Sequence, residues 1–235
     1  MVSLELVLLI LMKIYQLTKF QFGFLKKNSY IKCMKKKKIL AIAPHTDDIE
    51  LGCGATLHKF RNDYEIHAVA ITSAQPLAVG DPVQEFYNAM AIIGADSSFL
   101  NFECRILNES RQSLLDVFWN LQKQHRYDIV FCPSSYDHHQ DHQVVYQETF
   151  RAFKHSTILG YELPWNVRSF QTDVFISVTE EDMNAKLQML DCYKTQQERA
   201  FMCKDYIFDI ARTRGLQVGK QYVEAFEAIR IIDLL

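Results

Sequence analysis

From residue 38 onward, apolar and polar positions alternate with two periods, one typical of strands and one typical of helices. Strand patterns lie at 39–44, 65–72, 98–102, 127–133, 157–162 and 172–178, and helix patterns lie at 53–62, 83–94, 109–126, from 141 and at 180–195. Strands separated by helices favour a mostly parallel sheet with helices on both faces. The pattern therefore predicts an α/β fold, with less regular sequence from 196 to a last apolar run at 225–232.

The first 38 residues have a different pattern, with VSLELVLLILM at the start and seven lysines from Lys26 to Lys38. The apolar run at 6–12 is far shorter than the ~20 residues that span a bilayer, and no basic stretch precedes it as in a signal peptide. Two interpretations stay open. Residues 2–25 form an amphipathic helix on a membrane surface, or residues 1–33 are a dispensable extension, because MKKKKILAIA from Met34 resembles a bacterial start. We expect residues 38–235 to form a single domain.

Composition narrows the class of protein and its compartment. Apolar residues make up 49% of the chain, and the formal net charge of −2 argues against a nucleic-acid partner. The cysteines form no CxxC pair and no compact disulfide framework, so we expect them to be reduced, buried and structural. This predicts a cytoplasmic protein. The alternative is a cytoplasmic protein that also contacts the inner face of the membrane through residues 1–38. The cysteines are Cys33, Cys53, Cys104, Cys132, Cys192 and Cys203.

The first polar cluster is His45 to Asp48, within IAPHTDDIELGCG at 42–54. It lies where a predicted strand is followed directly by a predicted helix. Residues three apart in a tight turn can direct their side chains to one point, so His45 and Asp48 can share a cation. An imidazole nitrogen and a carboxylate oxygen are ordinary zinc ligands. Asp47 would then stand beside the metal without binding it, which is the place for a general base.

The second polar cluster is YDHHQDH at 136–142, which also follows a predicted strand. His142, in the first turn of the next helix, could supply a third ligand and leave a fourth position open for water, as catalytic zinc requires. Asp141 has a simpler alternative role as the N-cap of a helix over 142–155. Because both clusters follow strands of a parallel sheet, we expect them at the same edge of that sheet.

The two clusters together carry a family resemblance. PHTDDIELGCG followed by HQDH is similar to the paired signature of the PIG-L/LmbE-like family of zinc-dependent sugar N-deacetylases, and QEFYNAMAIIGA, KLQMLDCYKTQ and EAFEAIR extend the resemblance over roughly 38–232. The resemblance implies a Rossmann-like three-layer sandwich and N-acetylated glucosamine derivatives as substrates. It also implies roles for six residues: zinc ligands His45, Asp48 and His142, the general base Asp47, and the further catalytic residues His139 and Asp141.

Three departures from the family pattern concern the substrate more than the metal. Thr46 replaces a proline, Ile49 followed by Glu50 replaces a glutamate directly after the two aspartates, and Pro82 replaces an arginine. A protonated His139, oriented by Asp141, is expected to stabilise the oxyanion. The candidate substrate contacts are Glu50, Tyr136, Asp137, Trp165 and Arg168, although cores use aromatic residues as much as clefts do.

The resulting prediction is a zinc-dependent deacetylase that releases acetate from an amino-sugar derivative, either a glycan or glycolipid precursor or a sugar-thiol precursor. Fe²⁺ or Co²⁺ could occupy the same nitrogen and oxygen donors. Two alternatives stay open: a metal-dependent hydrolase of a non-sugar amide or ester, and a non-catalytic membrane-surface binding protein of the same fold. The oligomeric state and the role of His138 are left open.

Overall fold

The computed structural model describes residues 36–73 and 79–232, which contain seven strands and six α-helices. The strands are β1 (Lys38–His45), β2 (Glu65–Thr72), β3 (Asp96–Phe99), β4 (Ile129–Pro133), β5 (Thr157–Tyr161), β6 (Val174–Val178) and β7 (Tyr222–Arg230). The helices are α1 (Asp48–Phe60), α2 (Pro82–Ile93), α3 (Arg111–His125), α4 (Gln140–Ala152), α5 (Glu180–Asp191) and α6 (Lys204–Val218). Single 3₁₀ turns lie between β5 and β6 at Pro164–Asn166, and between α5 and α6 at Lys194–Gln196 and Ala200–Met202.

All the strands belong to one sheet, in the order β3-β2-β1-β4-β5-β7-β6. The pairs β2–β3, β1–β2, β1–β4 and β4–β5 are parallel, and only β7 runs antiparallel to its neighbours. Strands β1 and β4 are adjacent, with Ala41 opposite Phe131. Their carboxyl ends therefore lie side by side, which brings the two polar clusters to one edge of the sheet.

Strand β1 shows how the core forms on both faces of the sheet. Ile39, Ala41 and Ala43 join the hydrophobic cluster under α1, α2, α5 and α6. Leu40 and Ile42 point the other way and join the cluster under α3 and α4. Such a strand is buried on both faces and lacks the alternation of a half-exposed strand. The result is three layers with a mostly parallel central sheet, and the fold prediction is confirmed.

The structure differs from the predicted elements at two helices. Helix α6 and the start of β7 occupy sequence that was expected to be irregular. The helical pattern of α6 is weak because Leu216 and Val218 are exposed, so the apolar positions do not all mark the buried face. Helix α1 begins five residues earlier than expected, at Asp48 instead of 53. Its first turn is separated from the rest by Cys53, whose φ of −146° and ψ of 17° are not helical.

The predictions for the N-terminal region concern sequence outside the part that the structure describes. The proposed amphipathic helix over residues 2–25 and the proposed start-site extension over 1–33 both lie there. Among the residues at 36–73 and 79–232, no helix is both long enough and apolar enough to cross a membrane.

Candidate metal centre and cleft

Two strand-to-helix connections bring the polar clusters together. The first is a two-residue turn between β1 and α1, and the backbone N–H of His45 donates to Asp48 Oδ2 over 2.8 Å, which turns this carboxylate back over the end of the strand. The second follows β4 and leads into α4, whose first residues include Asp141 and His142. Both residues are 1% exposed, so the first turn of α4 is buried against the end of β1.

Three donor atoms form a nearly equilateral triangle at this edge. His45 Nδ1 lies 3.1 Å from Asp48 Oδ2 and 3.1 Å from His142 Nε2, and His142 Nε2 lies 3.2 Å from Asp48 Oδ2. A tetrahedral ion with bonds of about 2.0–2.2 Å holds its ligand atoms about 3.3–3.6 Å apart, a little further than these three atoms lie from one another. The spacing and the chemistry of the three donors therefore fit a divalent metal ion.

The electrostatics of the triangle also favour a cation. Burial lowers the pKa of His45, but hydrogen bonds to Asp141 and Asp48 outweigh it and raise the pKa well above the ordinary value. Burial likewise opposes protonation of His142, yet the charge of Asp48 and the hydrogen bond to Asp137 raise its pKa to about 9. Burial raises the pKa of Asp48, but the two histidines lower it further than burial raises it. The site stabilises positive charge, which a bound metal ion would supply.

Two carboxylates fix the orientation of the histidine rings. Asp137 Oδ2 lies 2.7 Å from His142 Nδ1, and Asp141 Oδ2 lies 3.2 Å from His45 Nε2. A carboxylate that accepts from one ring nitrogen leaves the lone pair of the other nitrogen for a metal. Asp137 was expected to contact substrate. The structure instead buries it to 1% exposure beneath His142, where its other oxygen accepts from the backbone N–H of His139.

Asp47 lies beside the triangle and faces the same cleft. Asp47 is 5% exposed. It lies in the turn after β1, at the N-cap position of α1. Burial, followed by the negative charge of Asp48, raises the pKa of Asp47 to about 6. A carboxylate with a pKa in this range is a stronger base than an exposed aspartate and is still largely ionised at neutral pH.

His139 has a different partner from the one expected. It occupies the N-cap of α4, and its Nδ1 accepts from the backbone N–H of Asp141 over 3.3 Å. Burial and the neighbouring histidines lower the pKa of His139, so its ring is neutral. The carboxylate of Asp141 contacts His45 and the backbone N–H of Arg105, not His139. The cap residue is therefore His139 instead of Asp141, and the His139 ring is held by the backbone N–H of Asp141, not by its carboxylate.

The cleft around the triangle draws on several parts of the chain. Residues that line it come from the two clusters, from helix α1, from the loop after β3, from the 3₁₀ turn at Pro164–Asn166 and from the segment after α5. The wall residues outside the two clusters are Leu51, Cys104, Arg105, Trp165, Asn166, Gln196, Arg199 and Phe201.

Of the predicted substrate contacts, Trp165 alone lines this cleft. It is 39% exposed and stacks on Phe201, with 4.3 Å between ring centroids. Glu50 is fully buried below the site and accepts from the hydroxyl of Tyr193 over 2.6 Å. The hydroxyl of Tyr136 donates to Gln171, and Arg168 is exposed outside the lining. These two residues and Glu50 lie away from the cleft wall.

Sequence reasoning missed most of the cleft wall. Gln196 is the last residue of KLQMLDCYKTQ, a segment used for the family resemblance, which was the available signal. Cys104 was grouped with the buried structural cysteines, yet it is partly exposed and lines the cleft. Arg199 and Phe201 carried no pattern that marked them. Their placement depends on how the segment after α5 folds back over the edge of the sheet.

The fold and the donor atoms define an α/β protein with a candidate metal centre at the carboxyl edge of its sheet. A model of the PIG-L family, described as GlcNAc-PI de-N-acetylase, matches residues 40–153. A protein of Escherichia coli (strain K12), described as the uncharacterized deacetylase YaiS, is 38% identical over 171 residues, which are 68% of this chain and 92% of that protein. The chain belongs to the PIG-L deacetylase family.

Solved structures share the fold at low identity. The N,N'-diacetylchitobiose deacetylase from Pyrococcus horikoshii has a TM-score of 0.66 at 21% identity, covering 81% of this chain and 83% of that one. GalB, the 4-carboxy-2-hydroxymuconate hydratase from Pseudomonas putida KT2440, has a TM-score of 0.71 at 17% identity, covering 85% and 100%. Because these two proteins carry out different reactions on one fold, the reaction of this chain has to be argued from its site.

Proposed function

We propose that this protein uses a divalent metal ion, with Zn²⁺ as the first candidate, to hydrolyse the N-acetyl group of an amino-sugar derivative and release acetate. The observation that carries the proposal is the triangle of His45 Nδ1, Asp48 Oδ2 and His142 Nε2 with Asp47 beside it in one cleft. Three protein donors with an open fourth position are the arrangement of catalytic zinc sites.

The metal ion, held by His45, Asp48 and His142, would supply Lewis acidity and an acidified water at neutral pH. Fe²⁺ suits the same nitrogen and oxygen donors, so availability decides between the two ions. Asp137 and Asp141 keep the two imidazoles in the tautomers that leave His142 Nε2 and His45 Nδ1 with a lone pair. The metal-binding role is therefore shared by three donors and two supporting carboxylates.

Asp47 is the proposed general base. It takes a proton from the water that attacks the amide carbonyl, and it later passes this proton to the nitrogen of the departing amine. The raised pKa, about 6, suits both steps because the carboxylate is neither too weak to accept the proton nor too basic to return it. The products are acetate and the free amino sugar.

His139 is proposed to donate a hydrogen bond to the oxyanion as a neutral imidazole. Its Nδ1 accepts from the backbone N–H of Asp141, which places the ring proton on Nε2. The ring lies edge-on to His45, with 4.9 Å between centroids, so it borders the place where the carbonyl oxygen would sit. A preorganised donor of this kind contributes about 3 kcal/mol to lowering the barrier.

The stacked pair of Trp165 and Phe201 supports a sugar as the substrate. Two nearly parallel rings, 12° apart, form an apolar surface at the cleft next to polar residues such as Asn166 and Gln196. An apolar surface with a few polar groups suits a ring that has one apolar face and hydroxyls at its rim. The N,N'-diacetylchitobiose deacetylase with the same fold makes an acetylated amino sugar the first class to test.

The test is acetate release by the full-length protein, loaded with Zn²⁺ or Fe²⁺, from N-acetylated amino sugars and from simple amides and esters. We expect turnover of the sugars and little of the simple amides. Asp47→Asn should keep one metal ion per chain and lose most turnover, whereas His142→Ala should lose the metal. Equal turnover of non-sugar amides would favour the broader hydrolase, and an active Asp47→Asn variant would remove Asp47 from the role of base.

A further inference from the structure

A second group of possible metal ligands lies on the other side of the His45 ring. His45, Cys104 and Asp141 each offer a donor atom, and these atoms all lie within 4.8 Å of one another. His45 Nε2 is 3.2 Å from Asp141 Oδ2, and Cys104 Sγ is 3.7 Å from the same oxygen. Cys104 is partly exposed and lines the cleft, so an ion can reach this group from solvent.

The loop that carries Cys104 is held against the metal centre. Arg105 adopts a φ of +71°, in the left-handed region that is unfavourable for a long side chain. Its backbone N–H donates to Asp141 Oδ2 over 2.7 Å, and its carbonyl accepts from the Gln140 amide. Both partners belong to the first turn of α4. The two contacts keep the strained backbone in place and hold the neighbouring thiol next to Asp141.

We propose that His45 Nε2, Cys104 Sγ and Asp141 Oδ2 form a second, inhibitory binding position for a thiophilic divalent cation such as Cd²⁺ or excess Zn²⁺. Thiolate, imidazole and carboxylate are all zinc donors, and the sulfur selects such ions over Mg²⁺ or Ca²⁺. A tetrahedral ion with a Zn–S bond of about 2.3 Å holds sulfur and oxygen ligands about 3.6 Å apart. This is close to the spacing of Cys104 and Asp141.

Binding at this position releases protons and uses the second ring nitrogen of His45 as a ligand. The ion replaces the thiol proton of Cys104 and the Nε2 proton of His45, so two protons leave for each ion bound. With the first position filled, His45 then bridges two ions through its two nitrogens. The carboxylate of Asp141 turns from supporting His45 to holding the second ion, and the ion occupies the cleft. This inhibitory effect rests on the proposed function, whereas the binding itself does not.

Cadmium binding tests the position without any enzymatic readout. Full-length protein already holding one Zn²⁺ per chain is titrated with Cd²⁺, and the thiolate-to-cadmium charge-transfer absorbance is recorded. Cys104→Ser is compared with wild type and with Cys203→Ser, which removes an exposed cysteine on the segment before α6. We expect the band in wild type and in Cys203→Ser, and its loss in Cys104→Ser. A band of equal strength in Cys104→Ser would overturn the proposal.

Inhibition by excess zinc tests the consequence. Each protein's turnover at several equivalents of Zn²⁺ is divided by its own turnover at one equivalent. We expect at least a tenfold smaller loss in Cys104→Ser than in wild type or Cys203→Ser. The same fractional loss in all three would refute the inhibitory role even where the cadmium band is present. Absence of any turnover would count against the proposed function and leave the cadmium result to decide the second position.

Discussion

The buried ion pair of Lys186 and Glu224 stabilises helix α1 at its kink. Lys186 Nζ lies 2.6 Å from Glu224 Oε1 and donates to the carbonyl of Leu51, while Glu224 Oε2 accepts from the backbone N–H of Thr56 over 2.7 Å. The non-helical backbone at Cys53 interrupts the ladder of hydrogen bonds there, so the ion pair satisfies groups that the helix leaves without partners. Both charged side chains are less than a tenth exposed.

Replacing Lys186 by methionine keeps the volume of the side chain and removes its charge. Glu224 is then left as a buried carboxylate without its cation, and the carbonyl of Leu51 loses a donor. Breaking a buried pair from one side costs about 3–5 kcal/mol of unfolding free energy, which is a large share of the about 5–15 kcal/mol of a typical domain. The double variant Lys186→Met/Glu224→Gln removes both charges. We expect it to be less destabilised than the sum of the two single variants by about 2 kcal/mol.

Urea unfolding of wild type, the two single variants and the double variant gives this coupling energy directly. Glu181→Gln serves as the control, because Glu181 is largely exposed and lies 3.7 Å from Arg61. We expect the control to change the unfolding free energy by no more than about 0.5 kcal/mol. If the effects at 186 and 224 simply add, or if Lys186→Met is as stable as the control, the two charges do not brace the kink as a pair.

Three further predictions concern the site, the cleft and a distant histidine. Asp137→Asn should weaken metal binding about 10–100-fold in a chelator competition, because it removes the negative charge beside His142 Nδ1 and leaves one acceptor oxygen for the N–H groups of His142 and His139. A changed KM with unchanged metal affinity would restore the substrate role. Trp165→Ala should raise the KM for N-acetylated sugars about 2–10-fold, because a lost stacking contact costs about 0.5–1.5 kcal/mol. The KM for simple amides should not change, and equal effects on both substrate classes would contradict this. Burial lowers the pKa of His67 below 6.5, so the unfolded chain binds its proton more readily and stability falls as the pH drops below that value. His67→Gln should flatten the loss of the urea midpoint between about pH 7 and about pH 5, and an unchanged slope would refute the assignment.

The position of the candidate metal centre is accessible from the sequence because each proposed donor is local to a strand end. His45 and Asp48 lie three residues apart across a turn, and His142 follows β4 in the first turn of α4. The rule that carboxyl ends of parallel strands meet at one edge predicts both clusters there. The adjacency of β1 and β4, which the apolar pattern does not specify, then brings these three residues together in the structure.

The cleft wall could not be predicted because it depends on where long connections return. Glu85 illustrates the reason: its carboxylate accepts from the backbone N–H and the hydroxyl of Thr195, more than a hundred residues away. This contact fixes the segment that brings Gln196, Arg199 and Phe201 to the cleft. Nothing in the period of apolar residues specifies such a pairing. The same holds for Asp137, which was expected to contact substrate, whereas its hydrogen bond to His142 holds it buried beneath that ring.

The proposed metal centre gives a physical reason for the density of histidine and aspartate in YDHHQDH, because neutral imidazole ligands need hydrogen-bond acceptors beside them. An imidazole can bind a metal only through a nitrogen without a proton, so a site with two histidines needs two acceptors that hold the other protons. Asp137 serves His142 from five residues away, and Asp141 serves His45 from across the sheet edge. Because Asp141 also holds the backbone N–H of Arg105, the tautomer of His45 is tied to the loop that carries Cys104. A change in the conformation of that loop should therefore affect the candidate metal centre through Asp141, without contacting any of the three proposed donors.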